Sequence, residues 1–206
     1  MEDVTDLSHE AAEHRRKAQK HKEVFEKKLA AAKKEKGLLI VYTGTGKGKS
    51  TAAFGMGVRI LAHGMKLGVV QFIKGALDTG ERRFLSDHER CSFQTIGEGY
   101  TWNVQDLDRD KQTARKGWDI AVSMIESGEF DMVILDELNI VLKHNYLAVS
   151  DVLDVLARRD PNVHVVITGR HAPEELITAA DLVTEMKVIK HPYKEQGVKA
   201  QRGVEF

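Results

Sequence analysis

LLIVYTGTGKGKST, residues 38–51, is the stretch whose reading decides the fold. Leu38 to Thr43 are mostly β-forming apolar residues that run straight into Gly44, Gly46 and Gly48, which alternate with Thr45 and Lys47. Lys49, Ser50 and Thr51 then open an apolar-periodic segment, giving strand, loop and helix in succession. Three glycines let the backbone turn its N–H groups inward. The loop can then cradle a polyphosphate whose charge also sits at the positive end of the next helix. Lys49 would reach the phosphate oxygens, and the Ser50 hydroxyl would ligate the magnesium that travels with them. The usual spacing, G-x-x-x-x-G-K-S/T, puts its first glycine at 43, where this chain has Thr43, so counted from Gly44 the loop is one residue short. A flexible turn could share the glycines, but not GKST between a strand and a helix.

Downstream, Thr51 to His63 read as a helix whose small residues Gly55 and Gly57 suit close packing on a sheet, ended by Gly64. Lys66 to Ile73 and Ser92 to Ile96 read as strands, 79–88 as a short polar helix starting at Thr79, and Asp108 to Ser127 as a long amphipathic helix. Asp131 to Glu137, DMVILDE, is an apolar strand ended by two acids. Beside a phosphate loop, acids after a buried strand hold magnesium directly or through water, which makes Asp136 and Glu137 metal candidates together with Ser50. Asn139–Leu142 and Val149–Ala157 read as helices. His164–Thr168 reads as a buried strand with Gly169, Arg170 and His171 at its carboxyl end. Pro173–Ala180 reads as a helix and Leu182–Met186 as a last short strand, after which the tail is basic and turn-rich.

Strands alternating with helices predict an α/β fold: a P-loop NTPase-like, RecA-like, mostly parallel sheet with helices on both faces. This domain is expected at 37–206. Residues 1–36 contain ten Lys or Arg and eight Asp or Glu. From Ser8, a plausible N-cap, to Lys36 they have neither Gly nor Pro, and their apolar positions are sparse, so they read as a basic helical arm, partly disordered. Basic and acidic residues balance at 31 each, which favours neither nucleic acid nor an acidic partner. The single Cys91 permits no internal disulfide, and no apolar run is long enough for a membrane span, so a cytoplasmic location is expected. Nucleotide binding alone leaves a P-loop ATPase, a small-molecule kinase, a nucleoside transferase and a nucleotide-gated binding module open.

TGTGKGKSTAAFG at 43–55, HGMKLGVVQFIKG at 63–75, GER at 80–82, GYTW at 99–102, DMVILDEL at 131–138, VVITGR at 165–170, ADLVTEM at 180–186, KHPY, and GVKAQRGVEF at the end occur in this order. With them the chain resembles the P-loop-type ATP:corrinoid adenosyltransferases over nearly all of 38–206. The resemblance implies transfer of the 5′-deoxyadenosyl group of ATP to the cobalt(I) of a corrinoid, with release of tripolyphosphate. It implies ATP as co-substrate, Mg2+, and a corrinoid substrate. Gly44, Thr45, Gly46, Lys47, Gly48, Lys49, Ser50, Thr51 and Arg170 would contact the nucleotide, held in reversed polarity so that all three phosphates leave together. Lys49, Tyr100 and Trp102 would be catalytic, the two aromatics crowding the lower face of the corrinoid so that cobalt loses its axial ligand and is reduced more easily. Tyr100 stands where the family more often has Phe, and His171 where Gly is frequent. The resemblance also implies an electron-donating reductase or flavoprotein, a homodimer, and an arm that forms a flap over the corrinoid, while nucleic acid and membrane are not expected partners.

Overall fold

The computed structural model describes residues 3–31, 33–73, 79–96 and 107–206. Short runs rich in Val, Ile and Leu form six strands: β1 (Leu39–Thr43), β2 (Leu67–Gln71), β3 (Cys91–Thr95), β4 (Met132–Asp136), β5 (His164–Thr168) and β6 (Leu182–Glu185). They make one sheet in the order β3-β2-β4-β5-β1-β6, and each pairing is parallel. Fully buried parallel strands read as continuous apolar runs because both faces are covered. Here alternate residues serve opposite faces. Leu39, Val41, Val133, Leu135, Val165 and Ile167 enter one core, while Ile40, Met132, Ile134 and Val166 enter the other.

The first core is closed by α4 (Leu107–Glu126), α5 (Leu138–Lys143), α6 (Val149–Arg158) and α7 (Glu174–Ala179). Trp118 and Ile125 from α4 and Leu156 from α6 are buried in it. The second is closed by α2 (Lys49–Ala62) and α3 (Gly80–Ser86), through Phe54, Ile60, Leu61 and Leu85. Burying a side chain of this size removes about 1.5–3 kcal/mol of apolar exposure, so the two layers explain why helices flank the sheet on both sides.

Several local expectations are corrected. Gly57 does pack on the sheet, where an added Cβ would come within 2.9 Å of Leu67 Cδ2, but Gly55 faces open space. Positions 55 and 57 lie about 200° apart around a helix, so one cannot share the other's face. The arm forms α1 (Asp3–Ala31), which begins before Ser8, so Ser8 is not its N-cap. The last strand forms where it is expected and lies at the sheet edge, and all four of its residues are exposed. The tail contains one short helix, α8 (Pro192–Gln196), started by proline at its first turn and ended by Gly197 at φ 66. Thr79 does cap α3, its hydroxyl accepting from the Arg82 amide at 3.3 Å. Residues 1–35 and 36–206 form separate compact units. No helix among the described residues is long and apolar enough to cross a membrane.

Candidate nucleotide site

The carboxyl ends of four adjacent strands assemble the polar groups. In the order β2-β4-β5-β1 they present Gln71, then Asp136 and Glu137, then Thr168 to Arg170, then the 44–48 loop. Strand β5 thus separates the phosphate-type loop from the two acids, all at the carboxyl edge where open α/β sheets bind ligands.

The loop is built as its glycines require. Gly44 and Gly48 have φ of 97 and 98, a left-handed conformation that side chains resist. A second reason comes from across the sheet. An added Cβ on Gly44 would lie 2.4 Å from the Met186 carbonyl oxygen, and one on Gly46 would lie 2.7 Å from it. Gly46 N–H donates to that same oxygen at 2.6 Å, and the Met186 amide donates to the Thr43 carbonyl at 2.9 Å. The residue after edge strand β6 therefore braces the loop from outside. Gly48 leads directly into α2, whose free amides face the loop.

Lys49 is only 6% exposed, and its Nζ donates to the Gly46 carbonyl at 2.6 Å. Burial lowers its pKa. Glu137 and Asp136 oppose that effect and Arg170 reinforces it, so Lys49 is within electrostatic reach of both acids. Lys47 is exposed and forms an ion pair with Glu205 of the tail. Thr45 and Thr51 are exposed, Ser50 is half-buried at the start of α2, and Arg170 is exposed.

Asp136 is 2% exposed and both of its oxygens are occupied. Oδ1 accepts from the Thr168 hydroxyl at 2.7 Å and Oδ2 from the Gln71 amide at 3.0 Å. Glu137 adopts φ 61, and its amide donates to Thr168 Oγ1 at 2.9 Å. Its carboxyl is pushed up to about 7, first by burial and then by the neighbouring Asp136, against the pull of Lys49 and Arg170. Asn139 is fully buried below this turn, its amide donating to the Gly169 carbonyl at 3.0 Å. His171, at φ 58, occupies a left-handed position that suits glycine, and the next amide, Ala172 N–H, donates to Thr43 Oγ1 at 3.1 Å.

This geometry brings Lys49, Asp136 and Glu137 together and sets Arg170 at their edge. Tyr100 and Trp102 lie outside the described residues. Sequence reasoning missed Gln71, Thr168, Asn139, Met186 and Glu205. Gln71 and Thr168 carried a signal, a polar residue closing an apolar strand, whereas Met186 acts through its backbone and has none.

The donor set suits a hard divalent cation: the Ser50 hydroxyl, the Glu137 carboxylate and the phosphate oxygens of a bound nucleotide are all oxygen ligands. Glu137 carries the supporting observation, since a carboxyl raised by burial and by an adjacent acid is the group a bound cation would relieve.

The fold and site define a nucleotide-binding α/β protein with a six-stranded parallel sheet and a phosphate-type loop after its first strand. More narrowly, the chain belongs to the family described as ATP:corrinoid adenosyltransferase BtuR/CobO/CobP, which matches residues 35–206. It is 50% identical to a corrinoid adenosyltransferase of a Sinorhizobium species over the whole of both chains. It is 49% identical to one from Pseudomonas aeruginosa, covering 94% of this chain and 95% of that one. It is 40% identical to one from Escherichia coli K12, over 94% and 97% of the two chains.

Proposed function

We propose that this chain transfers the 5′-deoxyadenosyl group of ATP to the cobalt(I) of a corrinoid and releases tripolyphosphate. The observation that carries the reading is the family match across 35–206, laid over a cradle that places Lys49 beside two acids at the carboxyl end of a parallel sheet. In this reaction the electron pair of cobalt(I) forms the cobalt–carbon bond, the C5′–oxygen bond breaks, and its electrons leave on the triphosphate. Cobalt supplies the nucleophile, so the protein needs no side-chain nucleophile or base. Its task is to hold a departing polyanion as one unit. Lys49, Lys47 and the amides at the start of α2 would turn positive charge toward the oxygens where negative charge develops, the two lysines exchanging the Gly46 carbonyl and Glu205 for phosphate. Gly44 to Thr51 would bind the phosphates and Arg170 would reach the nucleotide from the β5 side.

Ser50 and Glu137 would hold Mg2+, with Asp136 supporting Glu137 from behind. When bound, the ion neutralises phosphate charge and improves the leaving group. Tyr100 and Trp102 are assigned to the corrinoid face on the family resemblance. The same resemblance supports an electron-donating reductase or flavoprotein as partner, a cytoplasmic homodimer, and a division into an arm at 1–36 and a catalytic domain at 37–206.

The test is a product assay with ATP, Mg2+ and chemically reduced cobalamin. The expected result is the optical spectrum of adenosylcobalamin with one tripolyphosphate per cobalt–carbon bond. Release of ADP or orthophosphate without that spectrum would overturn the reading in favour of an ATPase or kinase.

A further inference from the structure

Two polar side chains outside the cradle, the buried Thr168 and the half-buried Gln71, take up the whole of Asp136. Thr168, fully buried, has a single hydroxyl proton, and it goes to Asp136 Oδ1 at 2.7 Å. Its oxygen can therefore only accept from Glu137, whose amide sits at 2.9 Å. The result is one directed chain, from the Glu137 N–H to the Thr168 hydroxyl to the Asp136 carboxylate. Gln71 closes the other side. Strand register pairs it directly with Asp136, and its amide donates to Oδ2 at 3.0 Å. An ionised carboxylate accepts and never donates, so Gln71 must offer its nitrogen.

This arrangement divides the work of the two acids. Asp136 has spent both oxygens inside the sheet and is 2% exposed. Glu137 has its backbone held at φ 61, a conformation costly for a residue with a Cβ, and the hydrogen bond to Thr168 helps to hold it there. Its carboxylate lies beside Gly169, 3.3 Å from where a Cβ on that glycine would stand, and within electrostatic reach of Lys49 and Arg170.

Resting on the adenosyltransferase reading, we infer that Thr168 and Gln71 are positioning residues for the magnesium–triphosphate. They lock Asp136 as a buried anchor so that Glu137 is the acid presented to the cation. Partners that orient a metal-binding carboxylate typically contribute about 10–100-fold to metal affinity.

The test uses the full chain and reads ATP binding by calorimetry, with and without Mg2+. Thr168→Val keeps the volume and removes both hydrogen bonds, Thr168→Ser keeps the hydroxyl, and Gln71→Met removes only the amide. Thr168→Val is expected to weaken Mg2+-dependent ATP binding by about tenfold or more, with metal-free ATP binding unchanged. Thr168→Ser should restore it, and Gln71→Met should show a smaller loss of the same kind. In an Asp136→Asn background the Thr168→Val effect should shrink but not vanish, since Thr168 acts both through that carboxylate and through the Glu137 amide. The inference is overturned if Thr168→Val and Gln71→Met both leave the Mg2+ dependence intact, or if they weaken metal-free binding equally. Should Thr168→Val not fold, Gln71→Met with its magnesium titration decides alone. Wild-type protein that releases ADP refutes the adenosyltransferase reading. Wild type that releases tripolyphosphate beside variants whose Mg2+ dependence is intact refutes only the positioning role.

Discussion

Two turns at the carboxyl end of the same sheet solve the problem of holding backbone in a left-handed conformation in opposite ways. After β1 the chain uses glycine at 44 and 48, with φ of 97 and 98, where no side chain pays the steric cost. After β4 it uses Glu137 at φ 61 and secures the strain with the Thr168 hydroxyl. The first turn keeps small residues where an anion must come close, and its two lysines rest on the Gly46 carbonyl and on Glu205. The second keeps a side chain because an acid is wanted there. Small residues mark where a ligand must come close, and a strained large residue marks where the protein needs a particular functional group.

The largest effect expected from breaking this contrast is at Lys49, the charge that faces both turns. Lys49→Ala should slow tripolyphosphate release by roughly 100-fold or more, as loss of one preorganised donor does. Single-turnover adenosylation with excess reduced cobalamin measures it, and a rate near wild type would remove Lys49 from the chemistry.

Next comes the glycine turn. Gly44→Ala combines left-handed strain with a Cβ driven to 2.4 Å from the Met186 carbonyl, and should cost roughly 2 kcal/mol or more in urea unfolding. Gly55→Ala, in the middle of α2 and facing open space, should instead stabilise by about 0.5–1 kcal/mol. Equal effects at the two sites would mean that the bracing by Met186 is unimportant.

The acid turn should show itself in pH dependence. A carboxyl raised from 4.5 to about 7 binds its proton more tightly in the folded chain than in the unfolded one. Its contribution to stability is therefore complete below about pH 4.5 and is lost as pH rises through about 7. Glu137→Gln cannot ionise and should lack this loss. The difference between the two proteins across that window should be about 1–2 kcal/mol, reduced from the ideal linkage by partial exposure. Parallel stability curves for wild type and Glu137→Gln would show that the carboxyl is not raised.

The smallest effect concerns the tail. Lys47 and Glu205 form a partly exposed ion pair, so Glu205→Gln should change stability by under about 1 kcal/mol. It should raise ATP affinity slightly, because Lys47 then has no competing partner when phosphate arrives. A fall in affinity would mean that Glu205 orients Lys47 for the nucleotide.

Much of this was legible in the chain itself. Alternating strand and helix patterns, GKST after a strand, and Asp-Glu closing another strand are local signals, and they gave the sheet, its two helical layers and the core of the site. What the chain itself did not show depends on facing or edges. Gly55 and Gly57 look alike in sequence, yet only one meets Leu67. Leu182 and Val183 are apolar, yet they lie exposed on an edge strand. Burial is decided by what packs opposite, and that partner can be any distance away in the chain.

By itself, then, the sequence determined that a polyphosphate would be cradled after β1 and that acids would stand after β4, because glycine freedom, helix polarity and strand periodicity act between neighbours. Only the tertiary structure decided that Met186 braces the loop, that Glu205 holds Lys47, and that Gln71 and Thr168 consume both oxygens of Asp136. Those are contacts of backbone atoms and side chains many residues apart. Strand order and register create them, and no local pattern encodes either.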